Sequence, residues 1–278
     1  MFGPISGLLT SGLVPGTSLR VIRVRVENAR KTVNDLVQLA EAQFSLDRQT
    51  VPHGPWRARL RRIIHFLSYN AILKRRATRV TRVAGFHLIV RPTVFHPRYF
   101  ITSAFFATFL DGLDLSGKRV VDVGTGSGIL SLAAARAGAI GVTAVDINSN
   151  AALTAAENAR ANGLGDRVKP VCSNLFSAFA PTALFDVIIS SPPSFPVEPR
   201  DIADRAWHAG PNYRDIAPLF EQARARLAPG GCFYILLSSD SDLALLSKLI
   251  ELARFQARLV AKRSLLIESL LIYALQPC

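Results

Sequence analysis

The chain has 278 residues, about half of them apolar and 19% charged, so it can bury a sizeable core and is not globally disordered. The net charge of +13 is uneven: the first 100 residues carry 17 of the 33 basic residues but only 4 of the 20 acidic ones, and the remainder is neutral. Cys172, Cys232 and Cys278 form no CxxC pair, which excludes a disulfide scaffold or cysteine-rich zinc site and predicts a reducing, cytoplasmic setting. The uncharged start MFGPISGLLTSGLVPG lacks a basic region and argues against a signal peptide, and no apolar run is long enough for a transmembrane helix.

In chain order, residues 1–19 read as a tail, and Val33, Leu36, Val37 and Ala40 recur at helical spacing within 26–44. Residues 56–76 place Leu60, Ile63, Ile64, Leu67 and Ala71 on one helical face, with Arg57, Arg59, Arg61, Arg62, Lys74, Arg75 and Arg76 at the two ends. Three roles stay open for that basic helix: a lid with solvated charges, a grip on a polyanion such as nucleic acid or ribosome, or contact with an anionic membrane surface. Arg79–Val83, a turn at Ala84-Gly85 and Phe86–Val90 predict a hairpin, and 103–110 a helix.

From Lys118 onward, strand and helix patterns alternate: strands at 118–123, 141–146, 167–173, 185–191 and 232–238, and helices at 129–138, 150–163, 216–227 and 243–253. Two last runs, 255–262 and 264–275, predict a terminal antiparallel pair. This alternation predicts an α/β domain, a parallel sheet with helices on both faces.

Chemistry concentrates at strand ends. Gly124-Thr125-Gly126-Ser127-Gly128 follows the first strand, and its glycines let a ligand approach the backbone closely. The GxGxG spacing differs from the dinucleotide GxGxxG, and Asp122 would repel a pyrophosphate but not a cofactor with a positive centre. Asp146 ends the second strand, where a carboxylate accepts hydrogen bonds from a ribose diol. Ile147 is placed to pack on a purine, and Asn174-Leu175 after the third strand to meet an adenine edge. Ser191-Pro192-Pro193-Ser194-Phe195 ends the fourth strand; its prolines remove donors and leave carbonyls to orient an acceptor nitrogen. The loop 196–213, with Asp201, Arg205, Trp207, His208 and Tyr213, is a candidate substrate cover. His53, His65, His87 and His96 lack ligand spacing, so no metal is expected. A Ser-His-Asp triad is unsupported because Ser127 lies in the glycine loop.

At these residues the sequence resembles the class I S-adenosylmethionine (SAM) methyltransferases: VVDVGTGSG is similar to their first motif, AVDIN to the acidic second-strand motif, and SSPP to the fourth. Within them it resembles the small-domain group that includes release-factor glutamine methyltransferases. VFHPRYFITS is similar to that group's pre-domain segment, with Pro97 and Thr102 at the positions near the cofactor. Where that group has an aromatic after Pro-Pro, this chain has Ser194, with Phe195 one place later; Asn174 stands where an acid is commoner.

The resemblance implies a Rossmann-like, doubly wound seven-stranded sheet over 92–278 and a mainly helical, basic N-terminal substrate-recognition cap with a hairpin over 1–91. It implies SAM as cofactor, held by Thr102, Asp122, Gly124, Thr125, Gly126, Gly128, Asp146, Ile147, Asn174 and Leu175. Ser191, Pro192 and Pro193 would orient the acceptor, with Ser194, Phe195, Trp207, His208 and Tyr213 as substrate residues. The acceptor would be a nitrogen of a protein, nucleic acid or small molecule. The rival readings are an NAD-dependent oxidoreductase and a non-catalytic SAM-fold scaffold on RNA or membrane.

Overall fold

The computed structural model describes residues 77–97, 101–266 and 268–278. The helices expected at 26–44 and 56–76 lie outside the described residues. A two-stranded antiparallel hairpin comes first, β1 (Arg79–Val83) and β2 (Phe86–Val90), turning through Ala84 and Gly85, both with positive φ. Helix α1 (Ile101–Asp111) leads into β3 (Arg119–Val123), α2 (Ile129–Arg136), β4 (Gly141–Asp146), α3 (Ser149–Ala161), β5 (Val168–Cys172) and β6 (Phe185–Ser190). The chain closes with α4 (Ala217–Arg226), β7 (Leu227–Ser238), α5 (Leu243–Leu252), β8 (Phe255–Ser264) and β9 (Ser269–Pro277).

Strands β3 to β9 form one seven-stranded sheet in the order β5-β4-β3-β6-β7-β9-β8. Strands β5, β4, β3, β6 and β7 run parallel, and β9 joins β7 and β8 antiparallel. The chain starts mid-sheet at β3, winds outward to β5 and returns to β6 on the other side of β3. That reversal opens a crevice at the carboxyl ends of β3 and β6, where open α/β sheets bind ligands.

The central strands are buried on both faces, which explains their apolar runs. On β3, Val121 and Val123 join a core with Leu219 and Phe220 of α4 and Leu246 of α5. Val120 points the other way, into a core with Phe106 of α1, Leu132 of α2 and Ala155 of α3. Seven consecutive residues of α2, Ile129 to Ala135, are buried. Its alanines let the sheet approach one side while α1 and the hairpin cover the other.

The hairpin belongs to this second core through Phe86 and Leu88. It is fastened by two asparagines of α3. Asn158 Nδ2 donates to the Ile89 carbonyl (2.8 Å) while its Oδ1 accepts from the Ile89 amide (2.7 Å). Asn162 repeats the exchange with His87 at 2.7 and 3.0 Å. Four residues along a helix rise about 6 Å and two along a strand about 6.8 Å, so amides at i and i+4 meet the outward-facing backbone of β2 as a neighbouring strand would.

Candidate functional site

The carboxyl ends of β3 to β7 enclose a cavity of 460 Å³. Its floor is the glycine loop. Gly124, Gly126 and Gly128 all have positive φ. A Cβ on Gly124 or Gly126 would meet nothing within 4 Å, so these two leave open space. The loop is tied to β4 by hydrogen bonds from the Gly124 (2.8 Å) and Thr125 (2.9 Å) amides to the Val145 carbonyl.

Gly128 serves the fold instead: it does not line the cavity, and a Cβ there would lie 3.0 Å from Ala155 of α3. A side chain there would force α3 away from the glycine loop. Asp122, expected at the cofactor, also serves the fold. It is wholly buried and off the cavity wall, because the pleat of β3 turns it toward α2. Its Oδ2 accepts from the Thr125 and Ser131 hydroxyls, each at 2.7 Å, which braces the loop against the first turn of α2. Burial pushes the Asp122 carboxyl up to about 6, against the pull of those hydroxyls.

Asp146 lies on the cavity wall. Its Oδ2 accepts from the Gly126 amide and its Oδ1 from the Asn148 amide, both at 2.9 Å. Burial raises its pKa while these amides pull it down. The Ile147 amide also favours the charged carboxylate, and of its roughly four lone-pair sites room remains for a ligand hydroxyl. Ile147 follows, 41% exposed, and Asn174 and Leu175 continue the wall, with Leu175 in the left-handed region. Thr102 of α1 lines the opposite side. The sequence reading did not single out Asn148, whose Nδ2 donates to the Thr93 carbonyl at 3.0 Å and fixes the 92–97 loop, with Phe95, against the same cavity. Its only signal was an N-cap Asn before a helix.

Ser191, Pro192, Pro193, Ser194 and Phe195 all line the far wall. Phe195 donates to the Trp207 carbonyl and accepts from the Ala209 amide, both at 2.9 Å, forming a one-bridge parallel pairing with His208. The 196–213 loop thereby folds back over the acceptor turn. Trp207 packs edge-on to Phe95 with ring centroids 6.2 Å apart, and His208 lies 6.1 Å from the Phe195 ring. Trp207 and His208 both line the cavity.

Tyr213 does not. It is completely buried, and its hydroxyl donates to the Ser194 carbonyl (2.8 Å) while accepting from the Asp242 amide (2.9 Å). Burial pushes its pKa up to about 12. A substrate contact expected there is thus replaced by a clamp that holds the acceptor turn from behind. Beyond the sequence reading, Asp215, Asp240 and Glu268 bring carboxylates to the same wall. Asp215 pairs with Arg205 at 3.3 Å, and Glu268 accepts from Ser238 at 2.6 Å. Among the described residues no cluster fits a metal ion, and no helix is long and apolar enough to cross a membrane.

The sheet order, the glycine loop and the acid that ends β4 together define the class I SAM-dependent methyltransferase fold. Solved structures bear this out. A ribosomal protein L11 methylase from Lactobacillus delbrueckii subsp. bulgaricus is 22% identical, covers 66% of this chain and 81% of its own, and has a TM-score of 0.50. The T. thermophilus 16S rRNA N2 G1207 methyltransferase, in complex with AdoMet and guanosine, is 23% identical over 73% of this chain and 50% of its own, with a TM-score of 0.54. More particularly, the family model for ribosomal protein L11 methyltransferase matches residues 101–191, from α1 through the acceptor turn's first residue. The ribosomal protein L11 methyltransferase of Actinobacillus succinogenes is 48% identical over 68 residues, 24% of this chain and 23% of that protein. The matched stretch thus spans about a quarter of this curated relative. The family model that matches is that of the L11 methyltransferases; the narrower resemblance to release-factor glutamine methyltransferases, carried by the Ser-Pro-Pro motif and the segment around Pro97 and Thr102, finds no such match.

Proposed function

We propose that the protein is a SAM-dependent methyltransferase acting on a nitrogen of a ribosomal component, with protein L11 the first acceptor to test. One observation carries this reading: the glycine loop and Asp146, both within the span that resembles the L11 methyltransferases, converge on a single cavity with the Ser191–Phe195 turn that follows it. The open space over Gly124 and Gly126 and the lone-pair room left on Asp146 fit a nucleoside-bearing cofactor without phosphates.

When bound, SAM supplies a methyl group on a sulfonium, already a good leaving group, so the chain's task is chiefly alignment and exclusion of water. Asp146 would hold the ribose diol, Ile147 would pack on the purine, and Asn174 with Leu175 would meet its edge. Thr102 and Thr125 close the cavity around the cofactor. Ser191 and the Pro192 carbonyl would orient the acceptor nitrogen, with Pro193 fixing the turn. Phe195 and Trp207 form an apolar wall that keeps water out, and Ser194 leaves room beside it. The basic N-terminal region would contribute acceptor recognition, with its hairpin at residues 79–90 part of the catalytic core.

Calorimetry of the full chain should show one SAM site and no NAD binding. Asp146→Ala should weaken SAM by about 1.5–3 kcal/mol, the range for a hydrogen bond to a charged group. Tritiated methyl should pass from SAM to purified L11. Absence of SAM binding overturns the reading; SAM binding with transfer to ribosomal RNA but not to L11 moves the acceptor.

A further inference from the structure

We propose that Asn148 is a positioning residue for methyl transfer: through Thr93 it sets Phe95 against Trp207 and so fixes the acceptor side of the cavity. This rests on the methyltransferase reading above. The cofactor end and the acceptor end of the cavity belong to different segments of the chain. Transfer needs the two ends held at a set separation, because a small displacement of the acceptor forfeits much of the rate.

Residues 91–95 run along α3 and end at the cavity. Arg91 is forked onto Glu157 of α3, with Nε 3.1 Å from Oε2 and a terminal nitrogen 2.6 Å from Oε1. Val94 packs with Val90 and with Ala151 of α3. Between them Thr93 has a φ of 67°, a left-handed conformation that is exceptional for a β-branched residue. Such a conformation persists only where its neighbours over-determine it, and these positions gather at functional sites. Here two side-chain amides converge on one threonine. Asn148 Nδ2 donates to the Thr93 carbonyl at 3.0 Å and to its hydroxyl oxygen at 3.2 Å, and Asn150 Nδ2 reaches the same hydroxyl at 3.3 Å.

Beyond this turn Phe95 lies on the cavity wall, edge-on to Trp207. With Ala203 and Phe195 these rings form a small apolar cluster apart from the two cores that flank the sheet. Its members come from three segments: the 92–97 loop, the acceptor turn and the loop that covers it. Asn148 joins this cluster to the cofactor end. Its backbone amide holds Asp146 Oδ1, and its side chain holds the loop that carries Phe95. A helix cap would use Asn148 Oδ1 alone, which accepts from the Asn150 amide at 3.0 Å. The Nδ2 arm is additional to the cap, and it reaches the cavity side.

Acrylamide quenching of tryptophan fluorescence tests this in the full chain. Trp56→Phe leaves Trp207, 7% exposed, as the sole tryptophan. In that background Asn148→Ser keeps a capping oxygen and removes the amide arm, and the quenching constant should rise about threefold as the loop opens locally. Phe95→Ala should raise it as well, and the two changes together should do no more than Phe95→Ala alone, because both act through one contact. If Asn148→Ser does not fold, Asn148→Asp, which keeps the cap and lacks the donor, should give the same rise. Unchanged quenching, or effects of Asn148→Ser and Phe95→Ala that multiply, overturns the proposal. With tritiated SAM and purified L11, Asn148→Ser should lower kcat/KM for L11 about tenfold, with SAM affinity within twofold of wild type. A residue that served stability alone would not give that split. Loss of SAM binding with the L11 constants unchanged also overturns the proposal. Failure of the wild type to methylate L11 bears on the acceptor alone, and the quenching still decides Asn148.

Discussion

Replacing Asn158 by Leu keeps the volume at the α3–hairpin junction and removes only its hydrogen bonds. Three are lost: to the Ile89 amide and carbonyl, and to the Ser127 carbonyl at 2.8 Å. Asn158 is wholly buried, so water cannot replace them without opening the junction. An orphaned buried donor costs about 1–3 kcal/mol, and each weakened carbonyl adds less because its second lone pair is untouched. The expected destabilisation is about 3 kcal/mol, a large part of the roughly 5–15 kcal/mol that holds a domain together. Asn162→Ala, at a more exposed place, should cost about 1 kcal/mol. Urea unfolding of both variants gives the comparison, and hydrogen exchange at the Ile89 amide shows whether the hairpin has come loose. A loss under about 0.5 kcal/mol for Asn158→Leu, with the Ile89 amide still protected, would refute the clamp.

Two further outcomes follow from the site. The Asp122 carboxyl titrates near 6 in the fold against 3.8 ordinarily, so the folded protein binds that proton more tightly than the unfolded chain does. Its contribution is therefore full below about pH 4, declines as pH rises to about 6, and is flat above; on the order of 3 kcal/mol is involved. Asp122→Asn should flatten that part of the stability profile relative to wild type in urea titrations at pH 4 to 7, and an unchanged slope would contradict it. Tyr213→Phe should cut turnover about tenfold while leaving SAM affinity unchanged, because it frees the Ser194 carbonyl behind the acceptor turn; equal loss of SAM binding would show that the clamp serves the whole cavity.

Strands β3, β4 and β6 are legible in the sequence because burial on both faces leaves short apolar runs, and the chemistry at their ends is legible because the sheet brings all parallel carboxyl ends to one place. What a strand pattern does not reveal is which face a polar residue takes at the last turn of the pleat. Asp122, two places before Gly124, reads as a ligand contact and instead faces α2. Nor does periodicity report the pairing of Phe195 with His208, since two loop segments meet there without repeat. Tyr213 reads as a substrate residue of a covering loop; the left-handed backbone of Asn212 and Tyr213 goes with a side chain buried behind the acceptor turn. Asn158 and Asn162 are not legible at all, because an amide that stands in for a strand has no sequence signature of its own.

That substitution of side chain for strand has a bearing on solubility. A free strand edge offers unpaired backbone groups to any other chain, and proteins that leave one bare invite edge-to-edge association. On β2 the groups at risk are those of His87 and Ile89, and α3 has already taken them. At the far end of the main sheet, β8 presents exposed Arg258, Lys262 and Arg263 instead, deterring an incoming strand by charge. The β2 edge is closed by imitation and the β8 edge by repulsion. Loss of the asparagine pair should therefore appear as concentration-dependent self-association before it appears as loss of the fold.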